Sequence, residues 1–260
     1  MGSPALRIHV TGASGFVGRT FCEALAHAGH GVGPIERCNV VVHLAAIAHR
    51  QASREELQRV NVEFAVETAK KAAASGGRLV FLSSVKVHGE TSAGPLREDS
   101  PIAPQDRYAE SKARAEEALR GIPGLRLAVL RPPLAYGPGV KANFLMLMRA
   151  VARGWPLPLA SVDNRRSLIY VGNLAAAILA CLEREGTFLV SDGPAISTPQ
   201  LCRELGDALG RPARLFAFPP ALLPRKLAGS LEVQDSALPW QRPFSREEGL
   251  RATARWYHGL

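Results

Sequence analysis

The sequence predicts an α/β protein built on a doubly wound parallel sheet, followed by a smaller C-terminal region. Three observations carry this. Short, continuous apolar runs alternate with amphipathic stretches through the first half, as strands buried on both faces do. A glycine-rich turn, Gly12-x-x-Gly15-x-x-Gly18, follows the first such run directly. From Pro132 onward proline and glycine become frequent and the helical stretches shorten.

In order, Arg7 to Thr11 reads as a strand, Phe16 to Ala28 as a helix and Val40 to Leu44 as a buried strand. Glu55 to Ala74 repeats apolar residues at three- and four-residue spacing and is expected to be a long helix. Leu79 to Ser83 is a strand, Arg107 to Leu119 a helix and Leu125 to Leu130 a strand. Beyond them Asn143 to Arg153, Val171 to Arg184 and Pro199 to Leu209 are expected to be helical. The last opens with Ser197-Thr198-Pro199, a capping residue and a proline where the first helical turn tolerates one. Residues 1–135 are therefore read as the sheet domain and 136–260 as the smaller region, with about 162–190 returning to the sheet.

The 260 residues are 47% hydrophobic and 21% charged, an ordinary globular balance. Apolar runs such as Val40 to Ile47 are too short to cross a bilayer, so no membrane partner is expected. The chain enters a strand-like segment at Leu6, leaving no room for a signal peptide, and a cytoplasmic location is expected. Cys22, Cys38, Cys181 and Cys202 are scattered and are read as reduced thiols. His43, His49 and His88 have no partner at metal-ligand spacing, and no metal is expected. The formal charge of +9 admits nucleic acid or a phosphorylated small ligand. Arginine runs such as Arg165-Arg166 are short and no aromatic-studded basic stripe is present, so nucleic acid is disfavoured.

The glycine turn, between a strand and a helix, suits a dinucleotide: glycines let the backbone approach a pyrophosphate, and the helix N-terminus offers free N–H groups. Downstream lie Ser83-Ser84 and then Tyr108-Ala-Glu-Ser-Lys112. A phenol titrates near ~10 and is a poor base at neutral pH. A lysine one helical turn away on the same face is expected to lower that value.

Thr11-Gly-Ala-Ser-Gly-Phe-Val-Gly18, His43-Leu-Ala-Ala46, Ser83-Ser84, Tyr108-x-x-x-Lys112 and Arg131-Pro-Pro-Leu-Ala-Tyr-Gly-Pro-Gly139 together resemble the extended short-chain dehydrogenases/reductases, and within them the NAD-dependent epimerase/dehydratase branch. The match runs from about residue 6 to 257. Ser83 to Glu90, Pro138 to Phe144 and Asp163 to Leu174 are similar to a narrower group of UDP-sugar 4-epimerases and 4-ketoreductases of surface polysaccharide synthesis.

The resemblance implies a Rossmann-type domain holding NAD, with NADP left open, and a nucleotide-diphosphate sugar as substrate. It implies cofactor contacts from Gly12, Ser14, Gly15, Phe16, Val17, Gly18, Leu44, Ala45, Ala46, Asn61, Ser83, Tyr108 and Lys112. Ser84, Tyr108 and Lys112 are the implied catalytic residues: Tyr108 exchanges a proton with a sugar hydroxyl, Lys112 holds the nicotinamide ribose, and Ser84 orients the reacting oxygen. Ser84, Lys86, Asn143 and Arg166 are the implied substrate contacts, Arg166 at the diphosphate. Of Arg165 and Arg166, only one is expected to point inward, and Leu134 stands where many relatives carry an asparagine. A homodimer through the helices at Glu55 to Ala74 and Arg107 to Leu119 is implied too.

Three departures matter. The dehydratases follow the hydroxyl residue with an Asp-Glu pair, and here Val85 and Lys86 stand there, so elimination of water lacks its acid and base. Between His30 and Val40 the family has a strand, a helix and another strand, where this chain has only Gly31 to Asn39. The missing strand carries the residue that reads the adenosine ribose. A second shortening lies between Leu227 and Trp240. Either the sequence omits segments there or the enzyme is genuinely minimised; an intact mass near 27.9 kDa excludes omission. Epimerase and ketoreductase use the same residues and stay open, as do reduction of a non-nucleotide carbonyl and a non-catalytic dinucleotide-binding module.

Overall fold

A computed structural model describes residues 5–48 and 52–260; His49 lies outside the described residues. The core is a six-stranded, wholly parallel sheet. Its strands are β1 (Arg7–Thr11), β2 (Gly31–Val32), β3 (Val40–His43), β4 (Arg78–Leu82), β5 (Arg126–Arg131) and β8 (Gly186–Leu189). Across the sheet they run in the order β2-β1-β3-β4-β5-β8. All four residues of β3 are buried, because helices cover both faces. On one face α1 (Phe16–His27) and α6 (Val171–Ala180) pack through Phe21, Leu25, Leu174 and Ile178. On the other, α3 (Phe64–Ala74) and α4 (Arg107–Arg120) pack through Ala65, Ala69, Ala115 and Leu119. The alanines keep the helices close to the strands.

The expected long helix after Ser53 is three segments: α2 (Arg54–Leu57), a π-helical stretch (Gln58–Glu63) and α3. Buried Asn61 lies in the π-helical stretch, and its carboxamide accepts from the Ile47 N–H (2.8 Å) and donates to the Ile47 carbonyl (3.1 Å) and Ser111 Oγ (2.8 Å). The bulge turns that side chain toward the loop after β3.

The stretch after His30 differs from expectation. The strand expected to be missing is present as two residues, paired Arg7↔Gly31 and Ile8↔Val32. A single 3₁₀ turn, Ile35–Arg37, replaces the helix and third strand and leads straight into β3. Backbone bonds from Gly33 to Ile8 and from Asn39 to Arg7 hold this short link against β1.

The C-terminal half adds a two-stranded parallel sheet, β6 (Leu134–Tyr136) with β7 (Leu168–Tyr170), and α5 (Ala142–Ala152), α7 (Thr198–Ala208), α8 (Arg225–Ala228) and α9 (Arg246–His258). These gather a second core around stacked Tyr136 and Phe144, with Met148, Leu201 and Leu205. α9 was not expected from sequence, although Ser245 and Glu248 form a capping box at its start. Ser197 caps α7 as expected, accepting from the Gln200 N–H.

Candidate active site

Two loops at the C-terminal ends of β1 and β3 frame the crevice where this sheet reverses its winding. Gly12 has a φ of +71°, and a Cβ there would come within 2.7 Å of the Ala45 nitrogen; one on Gly18 would meet the Gly12 carbonyl at 2.1 Å. The glycines thus let the first loop close onto Leu44-Ala45 and onto α1. Thr11 Oγ1 accepts from the Ala45 N–H (3.3 Å), tying the two loops. The N-terminus of α1 has no side-chain cap and no acidic residue in its first turn. Ser14 and Gly15 are exposed there, with Phe16 and Val17 half-buried behind them. Free N–H groups on a glycine turn fit a pyrophosphate. The adenosine end fits less well, because Gly33-Pro34 follow β2 and bring no carboxylate to a ribose.

Tyr108, Lys112 and Ser84 meet where β4 ends and α4 begins. Asp106 caps α4 by accepting from the Ala109 N–H (2.7 Å), which sets Tyr108 in the first turn. Ser84 Oγ accepts from the Lys86 N–H (3.2 Å), which leaves its hydrogen free, and the hydroxyl acts to lower the neighbouring Tyr108 phenol. Burial first, and then the Asp106 carboxylate, push the half-buried Tyr108 phenol up to about 12, outweighing Ser84. Lys112 does not lower the phenol, although helical spacing alone predicts that it should. Instead Lys112 turns to the Leu82 carbonyl (2.7 Å) and lies 4.6 Å from the Phe81 ring centre. Burial brings its own ammonium down to about 7, against the charge of Glu116.

Beneath this pair lies a dry polar network that the sequence reading missed. Arg131 donates to both oxygens of Glu116 (3.0 and 2.6 Å), and Ser83 Oγ donates to the same carboxylate at 2.5 Å. Burial pushes the Glu116 carboxyl up, but Arg131, Ser83 and Arg120 together hold it below its ordinary range. The Ser83 hydroxyl therefore faces inward rather than toward the crevice. Arg131 also contacts His88 Nε2 (3.0 Å), and the other His88 nitrogen meets the Pro101 carbonyl (3.0 Å). The available signal was Glu116, four residues past Lys112 and so on its face of the helix. His43 lies nearby between Phe64 and Phe81, with neither ring nitrogen hydrogen-bonded among the described residues. Burial, then the Lys112 charge, bring it down to about 3, so it is a neutral packing residue at ordinary pH.

On the open side, Lys86 pairs with Asp106 and with Glu90 (3.2 Å), all three about one-third exposed. Asp106 and Glu90 were not singled out from sequence. Farther along, Arg165 and Arg166 part company, as expected. Arg165 turns to Glu232 (3.0 Å) at the surface. Arg166 is fixed by backbone bonds to Ile196, and its guanidinium donates to the Lys226 (3.1 Å) and Gly229 (2.9 Å) carbonyls. Burial moves it down, offset in part by Glu90. No ion pair among the described residues involves it, so a positive fork stays open to an anion. Asn164, buried beside it, donates to the Leu227 and Gly229 carbonyls. Asn143 is exposed on the first turn of α5, and Leu134 is exposed on β6. No cluster of metal-ligating residues occurs among the described residues.

The model of the NAD dependent epimerase/dehydratase family matches residues 32–190. The chain belongs to this family, whose cofactor is NAD. It is 37% identical over 254 residues to the UDP-glucose 4-epimerase of Vibrio cholerae, covering 85% of this chain and 77% of that protein. It is 29% identical over 255 residues to the ceramide reductase of Caulobacter vibrioides, covering 83% of this chain and 75% of that protein. Its fold matches the Thermus thermophilus UDP-glucose 4-epimerase in complex with NAD, with a TM-score of 0.81 and 24% identity over 98% of this chain and 100% of that one. No helix among the described residues is long and apolar enough to cross a membrane.

Proposed function

We propose that this protein moves a hydride and a proton at carbon 4 of a nucleotide-diphosphate sugar, as a 4-epimerase or 4-keto-sugar reductase of surface polysaccharide synthesis. The observation that carries the reading is the gathering of Ser84, Tyr108 and a buried Lys112 where β4 ends and α4 begins, with Val85 and Lys86 where a dehydratase needs carboxylates. Bound NAD supplies the hydride acceptor and donor. The α1 N-terminus would hold its pyrophosphate and Lys112 its nicotinamide ribose.

Tyr108 Oη takes the proton from the sugar hydroxyl during oxidation and returns it during reduction. Ser84 donates to the reacting oxygen and fixes its distance from the phenol. Lys112, held at the Leu82 carbonyl (2.7 Å), serves the ribose rather than lowering the phenol. Arg166 meets the diphosphate, and Asn143 the nucleotide side of the groove. Support also comes from the Vibrio cholerae relative.

The test is incubation with UDP-glucose and NAD. Epimerisation without added reductant marks an epimerase, and stoichiometric NAD(P)H consumption on a 4-keto sugar marks a reductase. Tyr108→Phe is expected to lower turnover by about a hundredfold to ten-thousandfold; unchanged turnover would sink the assignment. A second reading, reduction of a carbonyl on a lipid, draws on the ceramide reductase relative and on an exposed apolar segment beside Arg166. Arg166→Ala separates the two, since only the nucleotide-sugar reading expects KM to rise steeply.

A further inference from the structure

The chain between Asp207 and Glu232 contains Arg211, Arg214, Arg225 and Lys226 and no acidic residue. Several of its apolar side chains also face solvent. Leu215, Leu223 and Ala228 turn inward onto the second core. Between them Phe216 and Leu222 turn outward, 45% and 72% exposed, with Leu227 at 37%. The Leu157 strip runs beside this segment, its N–H bonded to the Arg214 carbonyl (2.8 Å) and its carbonyl to the Phe216 N–H (3.0 Å). That places Trp155, 54% exposed and stacked by the Arg153 guanidinium at 5.2 Å, on the same rim.

We propose that this rim docks the protein on an anionic membrane surface, with Trp155, Phe216 and Leu222 entering the headgroup layer and Arg214 and Arg225 meeting lipid phosphates. Aromatic and leucine side chains flanked only by cations suit that interface. The segment is proline-rich and offers neither a sheet edge nor a helix groove for a folded partner, whereas a lipid surface demands no register. A second copy of the chain, itself at +9, would set like charges against each other. The absence of a spanning helix is no objection, because lying on a membrane differs from crossing it. The proposal stands apart from the reaction assigned to Tyr108.

Cosedimentation tests it, using the purified chain with vesicles of phosphatidylcholine and phosphatidylglycerol in equal parts, against vesicles of phosphatidylcholine alone. Association with the mixed vesicles, weakened by salt, is expected. Leu222→Asp combined with Arg225→Glu should weaken it by about tenfold or more, with thermal unfolding unchanged because both side chains face solvent. Equal association with neutral vesicles, no association, or full binding by the double variant would overturn the proposal. So would a dimer in sedimentation velocity that Leu222→Asp dissociates, because the rim would then belong to a second copy.

Discussion

Two charged clusters flank the Tyr108–Lys112 pair, and they differ in water. The lower one, Glu116 with Arg131, Ser83 and His88, is buried and closed: the carboxylate has partners on both oxygens and the guanidinium meets acceptors on two sides. The upper one, Lys86 with Asp106 and Glu90, is about one-third exposed. Closed networks in a dry interior hold geometry, since any lost partner strands a charge. Open clusters exchange partners with a ligand at small cost. The lower cluster therefore builds the floor on which Lys112 stands, and the upper one sets the electrostatics that the phenol meets.

The largest effect should come from breaking the floor. Glu116→Ala leaves Arg131 buried without its carboxylate and should cost about 3–5 kcal/mol of unfolding free energy, measured by urea denaturation. A loss no larger than that of a surface substitution would remove the distinction between the clusters. A middle-sized effect is expected from Lys86→Met. Asp106 then faces Tyr108 unneutralised and raises the phenol further. In the proposed reaction oxidation needs the phenolate, so the rising limb of kcat/KM against pH should move up, with stability little changed. Lys86→Arg should restore the limb, and an unmoved profile would make Lys86 a bystander. The smallest effect is Arg165→Ala, which removes an exposed pair with Glu232. It should change stability by less than about 1 kcal/mol and leave KM alone, in contrast to its neighbour Arg166.

The strand–helix alternation and the glycine turn were legible because they depend on local periodicity. So was the inward turn of one arginine in the 165–166 pair, which the family resemblance put at Arg166; backbone bonds with Ile196, 30 positions away, hold it there. The π-helical break around Asn61 was hidden because its helical periodicity continues through it. The direction of the Tyr108 shift was misjudged for a related reason. Helical spacing places Lys112 on the same face, but the Leu82 carbonyl, which is 30 residues away in sequence, draws the ammonium aside.

By itself the sequence determined the parallel α/β class and the family, and it put forward Ser84, Tyr108 and Lys112 as a set, because these rest on residue types at fixed short spacings. The tertiary structure alone decided which charges are dry and which are wet. It paired Glu116 with Arg131 and Lys86 with Asp106, and it bridged β2 to β3 with one 3₁₀ turn. Those outcomes depend on desolvation and on partners distant along the chain, and neither is a property of a local stretch of sequence.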